Sequence, residues 1–250
     1  MRIIVTGGTG YIGSHTAVEF IKKNYEILII DNLSNSKLNV INKIEKIVNN
    51  KVKFIQLDLR DLDSVKKIFS DFKPNAVIHF AGVKSVEESL KDTISYYDNN
   101  VLSTINVMKA MNLVKCNSII FISSATVYGI PNYLPVDENH SVNPINPYGR
   151  TKLAIELLLQ DWFNSNVKNS CIIMRCFNPI GVDSSGLIGE DPPGVPKNLL
   201  PQIAEVALGK REFLTLLPQS YTKRPRAIWQ GRTVLGLLKL SLSQPPPSKG

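Results

Sequence analysis

The first thirteen residues constrain this chain more than any other stretch. An apolar run, Arg2-Ile-Ile-Val-Thr6, passes directly into Gly7-Gly-Thr-Gly-Tyr-Ile-Gly13. A buried strand that ends in three spaced glycines and continues into a helical pattern is the local plan of a dinucleotide-binding turn. Gly7 permits the tight turn. Gly10 lets backbone N–H groups approach a pyrophosphate, and Gly13 is expected to bring the helix close to the sheet. The helix N-terminus, with its unpaired N–H groups and partial positive charge, then faces the phosphates. The Gly-x-x-Gly-x-x-Gly spacing is one residue longer in its first gap than the common fingerprint. A tight strand-to-helix connection without a ligand would use the same residues. The context favours a ligand: residues 26–30 read as a second buried strand, and Asp31 stands at its end. A carboxylate there accepts hydrogen bonds from an adenosine ribose and repels a 2′-phosphate, which favours NAD over NADP. Asp31 is also a natural turn residue, with Asn32-Leu33-Ser34-Asn35 behind it.

Apolar strand patterns and helical patterns then alternate. Strands are expected at 52–56, 75–80, 118–123 and 170–175, and helices at 11–23, 36–48, 61–69, 96–113, 148–163 and 198–208. Continuous apolar strands between amphipathic helices imply a parallel sheet covered on both faces, with ligands beyond the C-terminal strand ends. The expected fold class is α/β, a Rossmann-type doubly wound parallel sheet, with an incomplete C-terminal substrate region. The expected division is a dinucleotide domain at 1–177, a partial substrate region at 178–214 and a basic, poorly ordered tail at 215–250.

Composition matters chiefly through charge. The 250 residues carry a net charge of +8, yet residues 210–250 hold eight basic residues against Glu212 alone, leaving about +1 for the rest. A nucleic-acid role would rest wholly on that tail, where Tyr221 and Trp229 are the interleaved aromatics. No apolar run approaches a membrane span, and the N-terminus lacks the layout of a secretory leader. Cys116, Cys171 and Cys176 form no C-x-x-C pair. They read as small hydrophobes in a reducing compartment, neither disulfide nor zinc ligands, and His15, His79 and His140 read as structural. A cytoplasmic protein without a metal is expected.

The chemistry gathers at the strand ends. Asp58 closes the third strand, Ala81-Gly82 follows the fourth, and Ser123-Ser124-Ala125-Thr126 follows the fifth. A serine at a strand end is often only a cap. Tyr148 and Lys152, at i and i+4, share one helix face, and either could equally be solvated. Their functional reading is specific. A free tyrosine, with a pKa of about 10, is a poor base at neutral pH, and a neighbouring ammonium and a nicotinamide cation would favour the phenolate. Phenolate could then take a proton from a sugar hydroxyl as hydride leaves the same carbon, with Ser124 or Thr126 holding that hydroxyl.

These residues lie within longer strings: VTGGTGYIGSHT, IDNLSNS, VIHFAGVKSV, YYDNNV, SSATVYG, NPYGRTKL and RCFNPIGVDSSGLIGEDPPGVPKNLLPQIAEVALGKRE. Across residues 1–214 the chain resembles the UDP-glucose 4-epimerases of the extended short-chain dehydrogenase/reductase family. The resemblance implies NAD as cofactor and UDP-glucose and UDP-galactose as substrates, interconverted by transient oxidation at C4 and re-reduction on the opposite face. It places Tyr11 and Ile12 at the pyrophosphate, and Asp31, Asn32, Asn35 and Ser36 at the adenosine ribose. Asp58 and Leu59 flank the adenine, and Phe80, Ala81, Gly82, Lys84 and Asn99 line the rest of the channel. Tyr148 is the implied proton acceptor, Lys152 its electrostatic partner and ribose ligand, and Ser124 the sugar-hydroxyl ligand. Phe177 is expected near the nicotinamide, and Asn178, Asn198 and Leu199 at the UDP-sugar. A homodimer paired through the helices around 96–113 and 148–163 is also implied.

The resemblance stops near residue 215. The family continues with an arginine for the diphosphate and an R-D-Y-I-H-V segment, and residues 215–250 contain neither. Poor or moderate NAD binding and little or no epimerase turnover are therefore expected of the chain as written. One rival, a 4,6-dehydratase, needs an Asp-Glu pair where Ala125-Thr126-Val127 stands. Another is a catalytically impaired dinucleotide-binding protein, against which the intact Tyr148 and Lys152 argue.

Overall fold

The computed structural model describes residues 1–191 and 198–213. The expected tail at 215–250, with Tyr221 and Trp229, lies outside them, as do residues 192–197 of the segment after Asn178. Six parallel strands form one sheet: β1 (Arg2–Thr6), β2 (Glu26–Asp31), β3 (Lys53–Gln56), β4 (Ala76–His79), β5 (Ser118–Ser124) and β6 (Ser170–Cys176), in the order β3-β2-β1-β4-β5-β6. The chain builds outward from β1 to β3, then crosses back to β4 beside β1. This reversal opens a crevice at the C-terminal ends of β1 and β4, the position at which such sheets bind ligands.

The strands are apolar on both faces because both are covered. On one face Ile4, Leu28, Ile30, Val77 and Phe121 pack with Val65 and Phe69 of α3 (Leu62–Phe72), Val107 and Met111 of α6 (Ser103–Leu113), and Ile155 and Leu159 of α7 (Pro147–Ser165). On the other, Ile3, Val5, Ile27, Ile29 and Ile78 pack with Val18 and Phe20 of α1 (Tyr11–Lys22) and Ile41 and Ile44 of α2 (Asn39–Val48). Successive β1 residues thus serve opposite layers, as the two-residue strand period requires. Helix starts follow local chemistry. Asp61 accepts from Ser64 N–H at the start of α3, and Asn146 accepts from Gly149 N–H at the start of α7, with Pro147 in its first turn.

The expected helix at 96–113 is not continuous. It comprises α5 (Thr93–Tyr97), a π-helical turn at Asp98–Leu102, and α6. Two adjacent asparagines sit in that turn. The Asn100 side chain accepts from Val83 N–H and donates to Val83 O and Thr151 Oγ1, while Asn99 donates back to Ser95 O. These side-chain bonds accompany a widened turn, which is a common device beside functional sites. A short α4 (Val86–Lys91), capped by Ser85, and a 3₁₀ turn at Ala125–Tyr128 complete the crevice side, and neither was expected from sequence. The last described helix, α8 (Leu199–Ala207), buries no residue.

Candidate functional site

The glycine turn closes on itself and on β4. Gly7 has φ +67°, and a Cβ there would stand 2.6 Å from Ala81 N. Only glycine accepts both constraints. A Cβ on Gly13 would lie 2.3 Å from Gly7 O and 2.9 Å from Gly8 Cα. Gly13 therefore lets α1 approach the loop, not the sheet as expected. The sheet contact belongs to Gly8, whose Cβ would meet Ile29 Cγ2 at 2.8 Å. The result is a tightly closed backbone turn at the N-terminus of α1.

Asp31 is buried and serves as both turn residue and loop anchor. Its Oδ1 accepts from Leu33 N–H at 2.9 Å and Ser36 Oγ at 3.1 Å, and its Oδ2 accepts from Thr9 N–H at 3.2 Å. One lone pair of Oδ2 remains for a further donor. Beyond it, a surface groove of about 650 Å³ is lined by Asn32, Ser34, Gln56, Leu57, Asp58, Arg60 and Asp61. The Arg60 guanidinium grips the Asp58 carboxylate at 2.8 and 3.0 Å, and this pair holds Asp58 down at about 2. Leu59 is buried beneath the groove, and Asn35 is exposed at its edge.

At the opposite end of the crevice the reactive side chains meet. Gly82 has φ +151°, and a Cβ there would lie 2.8 Å from Asn100 Oδ1 and 3.9 Å from Lys152 Nζ, so the β4 loop runs past the lysine. Tyr148 is buried, with its phenol within hydrogen-bonding reach of Ser124. Ser124 also accepts from Thr126 N–H at 3.2 Å, so it is a cap and a partner at once. Thr126 Oγ1 is buried and makes no hydrogen bond. Orphaned buried hydroxyls are costly, and this one lies two residues beyond Ser124.

The expected acidification of Tyr148 by Lys152 is not what the structure shows. Burial raises the phenol above its ordinary value, and the Ser124 bond offsets part of that rise. Lys152 Nζ instead donates to Ile122 O at 2.9 Å and lies 4.7 Å from the Phe121 ring centre. Burial pushes Lys152 down to about 8, against the pull of Cys176 and Glu156. Desolvation outweighs charge pairing here, because both groups lie in the same dry layer.

Sequence reasoning missed several residues that support this end. His79 is wholly buried and held down at about 3, by burial and then by Lys152. Thr104 Oγ1 donates to Asn100 O, so His79 Nε2 donates to Thr104 Oγ1 at 2.9 Å and its Nδ1 accepts from Thr6 Oγ1 at 2.7 Å. The chain continues through Asn100 and Thr151 to Tyr148 O. A lone histidine in an apolar run carries no sign of this. The expected structural role of His79 is nonetheless what is seen. Of the cysteines, Cys116 is buried and Cys171 and Cys176 are half-buried, and all three are free.

Residues 178–191 fold back over the glycine loop. Tyr11 Oη donates to Gly181 O at 2.7 Å, Lys37 pairs with Asp191 at 2.8 Å, and Ile188 is buried against the α1–α2 layer. Glu190 lies 3.5 Å from Lys84 Nζ and accepts from the Asn198 side chain. Three residues expected at ligands, Tyr11, Lys84 and Asn198, are thus brought together. Ile12 and Phe80 are half-buried beside the loop, while Phe177, Asn178 and Leu199 are exposed on the far side of the crevice. Among the described residues there is no cluster suited to a metal ion and no helix long and apolar enough to cross a membrane.

Residues 4–224 match the family model for GDP-mannose 4,6 dehydratase. The chain belongs to that family. Within it, the chain is 44% identical over 220 residues to the UDP-glucose 4-epimerase of Dictyostelium discoideum, covering 88% of this chain and 64% of that protein. It is 47% identical over 223 residues to the bifunctional protein gal10 of Schizosaccharomyces pombe, covering 88% of this chain and 31% of that protein. The UDP-glucose 4-epimerase of Stenotrophomonas maltophila, solved with NAD and formylated UDP-arabinopyranose, superposes with a TM-score of 0.82 at 41% identity, covering 85% of this chain and 63% of that one. The Bifidobacterium longum enzyme, solved with NAD+ and UDP, gives the same TM-score and identity, covering 85% and 64%. The chain spans less than two thirds of the length of these relatives.

Proposed function

We propose that this chain binds NAD and carries the groups for hydride exchange at C4 of a UDP-hexose, the chemistry that interconverts UDP-glucose and UDP-galactose. The observation that carries the reading is that Tyr148 stands beside Ser124 at the end of β5, and Lys152 beside Gly82 after β4, on the sheet edge that also holds the glycine turn. The residues fit the cofactor. The glycine turn at the α1 N-terminus suits a pyrophosphate, Asp31 Oδ2 keeps one lone pair for a ribose hydroxyl, and the Asp58 groove suits an adenine. Relatives of similar sequence were solved with NAD in this fold.

Bound NAD supplies the hydride acceptor, and its cationic ring supplies positive charge that favours phenolate. Tyr148 Oη accepts the proton of the C4 hydroxyl and returns it when the hydride comes back to the other face. Ser124 relays or holds that hydroxyl, and the orphaned Thr126 Oγ1 adds a second contact. Lys152, anchored on Ile122 O, holds a ribose hydroxyl and keeps a positive charge beneath the phenol when protonated. The UDP portion anchors the substrate through Asn178, Asn198 and Leu199, so the hexose is free to turn over between the two transfers. Binding of Asn198 to UDP requires that its contact with Glu190 be exchanged.

The test is direct. NAD is titrated into the protein by fluorescence, and UDP-galactose is then added while reduced-nicotinamide absorbance is followed. Tyr148→Phe should leave NAD binding within about twofold and slow the UDP-galactose-dependent reduction by about 10²–10⁴-fold. Absence of NAD binding by the parent, or equal rates in the two proteins, defeats the proposal.

A further inference from the structure

Three elements of the site converge on one buried carboxylate that the proposed reaction does not use. Glu156 lies on α7, one turn beyond Lys152, and is 5% exposed. Its Oε1 accepts from Ser123 Oγ and from Arg175 Nε at 3.1 Å. Its Oε2 accepts from Arg175 Nη2 at 2.7 Å and Nε at 3.2 Å. Ser123 and Arg175 are register partners across β5 and β6, and the next pair is Ser124 and Cys176. One carboxylate therefore ties the end of β5, the end of β6 and α7. Each tie is one or two residues or one helical turn from an expected site residue: Ser123 precedes Ser124, Arg175 stands two residues before Phe177, and Glu156 follows Lys152 by one turn. Arg175 extends the set, since its guanidinium lies 4.9 Å from the Tyr128 ring centre and Tyr128 stacks on Phe177 at 6.5 Å.

We propose that the Glu156–Arg175 pair is the positioning element of this site, fixing Lys152 and Ser124 relative to one another by clamping α7 to the ends of β5 and β6. Glu156 touches no reacting atom and acts through its neighbours. An arginine fork on a carboxylate sets both distance and angle, which a single hydrogen bond or an apolar contact does not. The same carboxylate is a negative charge on the helix face that carries the Lys152 ammonium. The other groups against Lys152 are His79 from β4, Phe121 and Ile122 O from β5 and Cys176 from β6, so Glu156 is the carboxylate among its named neighbours.

The inference deepens the proposed site, but its main readout does not need NAD. Lys152 is followed by NMR in protein carrying labelled lysine, its resonance assigned by its loss in Lys152→Met. The variant is Glu156→Gln with Arg175→Met, which removes both charges. Replacing a whole buried pair usually leaves stability close to unchanged, whereas removing one partner strands a charge. We expect a folded protein with a thermal midpoint near that of the parent. We also expect a Lys152 titration midpoint lower by about half a pH unit, a threefold loss in proton affinity, and NAD binding weaker by about tenfold. An unmoved Lys152 midpoint overturns the proposal. If the double variant does not fold, Ser123→Ala decides, because it cuts the β5 tie and keeps both charges. A displaced Lys152 resonance supports the clamp, and an unmoved one overturns it. Failure of the parent to bind NAD counts against the dinucleotide reading alone, since the lysine resonance reports on the clamp either way.

Discussion

The two sides of the crevice are built differently. The β1–β4 side is closed and dry: Ile4, Val5, Ile29, Ile30 and Val77 are fully buried, and the glycine cradle is held by backbone contacts under 3 Å from where a side chain would start. The side made by residues 177–213 is open. Phe177, Ile180, Val182, Leu200 and Ile203 are exposed, and Leu199 is 63% exposed. Every strand of the first side is packed between two helical layers, so its geometry follows from burial alone. Among the described residues, the second side is held to the first by polar contacts, Tyr11 to Gly181, Lys37 to Asp191 and Lys84 to Glu190, and by the buried anchor Ile188. Packed regions are rigid and polar-tethered ones adjust cheaply. The β1–β4 side is thus preformed, and the side of residues 177–213 can rearrange.

That contrast can be broken by mutation. The largest effect is expected where the packing is tightest. Phe69→Ala should cost about 3–5 kcal/mol in urea unfolding, while Leu200→Ala on α8 should stay within about 0.5 kcal/mol. Similar costs for both would erase the distinction. Next is Gly13→Ala, whose methyl collides with the Gly7 carbonyl. We expect a loss of about 3 kcal/mol together with loss of NAD binding, read by unfolding and by ligand titration.

Titration sharpens the comparison further. His79 is held at about 3 in the folded protein against an ordinary 6.5. The unfolded chain binds its proton first, so stability is complete above pH 6.5 and falls as pH drops toward 3. The expected slope is up to about 1.4 kcal/mol per pH unit. His79→Gln should flatten that slope, and an unchanged profile would show that His79 is not the buried group that yields. The smallest effect is Asp58 in the adenine groove. Its folded value is also depressed, to about 2 from 3.8, so its contribution is present above pH 4 and is lost as pH falls from 4 to 2. The carboxylate is partly solvated, and Asp58→Asn should change stability by less than about 1 kcal/mol.

Much of this was legible in the chain. Spaced glycines after an apolar run, Asp31 at the next strand end and apolar strands alternating with amphipathic helices led to the right sheet and the right edge of it. These are local signals, set by residue type and period. The helix break at Asp98–Leu102 was not legible, because its side-chain bonds go to Val83 and Thr151, far along the chain. Gly13 looked like a sheet contact and proved to be a loop contact, which spacing does not distinguish.

The order of elements, the buried layers and the collection of reactive groups at the C-terminal strand ends came from sequence alone, because burial and backbone sterics act on each segment by itself. Electrostatics did not. Tyr148 and Lys152 read as a phenol acidified by a neighbouring ammonium, yet folding buries both, and loss of water raises the phenol and lowers the ammonium. Desolvation depends on everything packed around a group, so only the tertiary structure decides its sign and size.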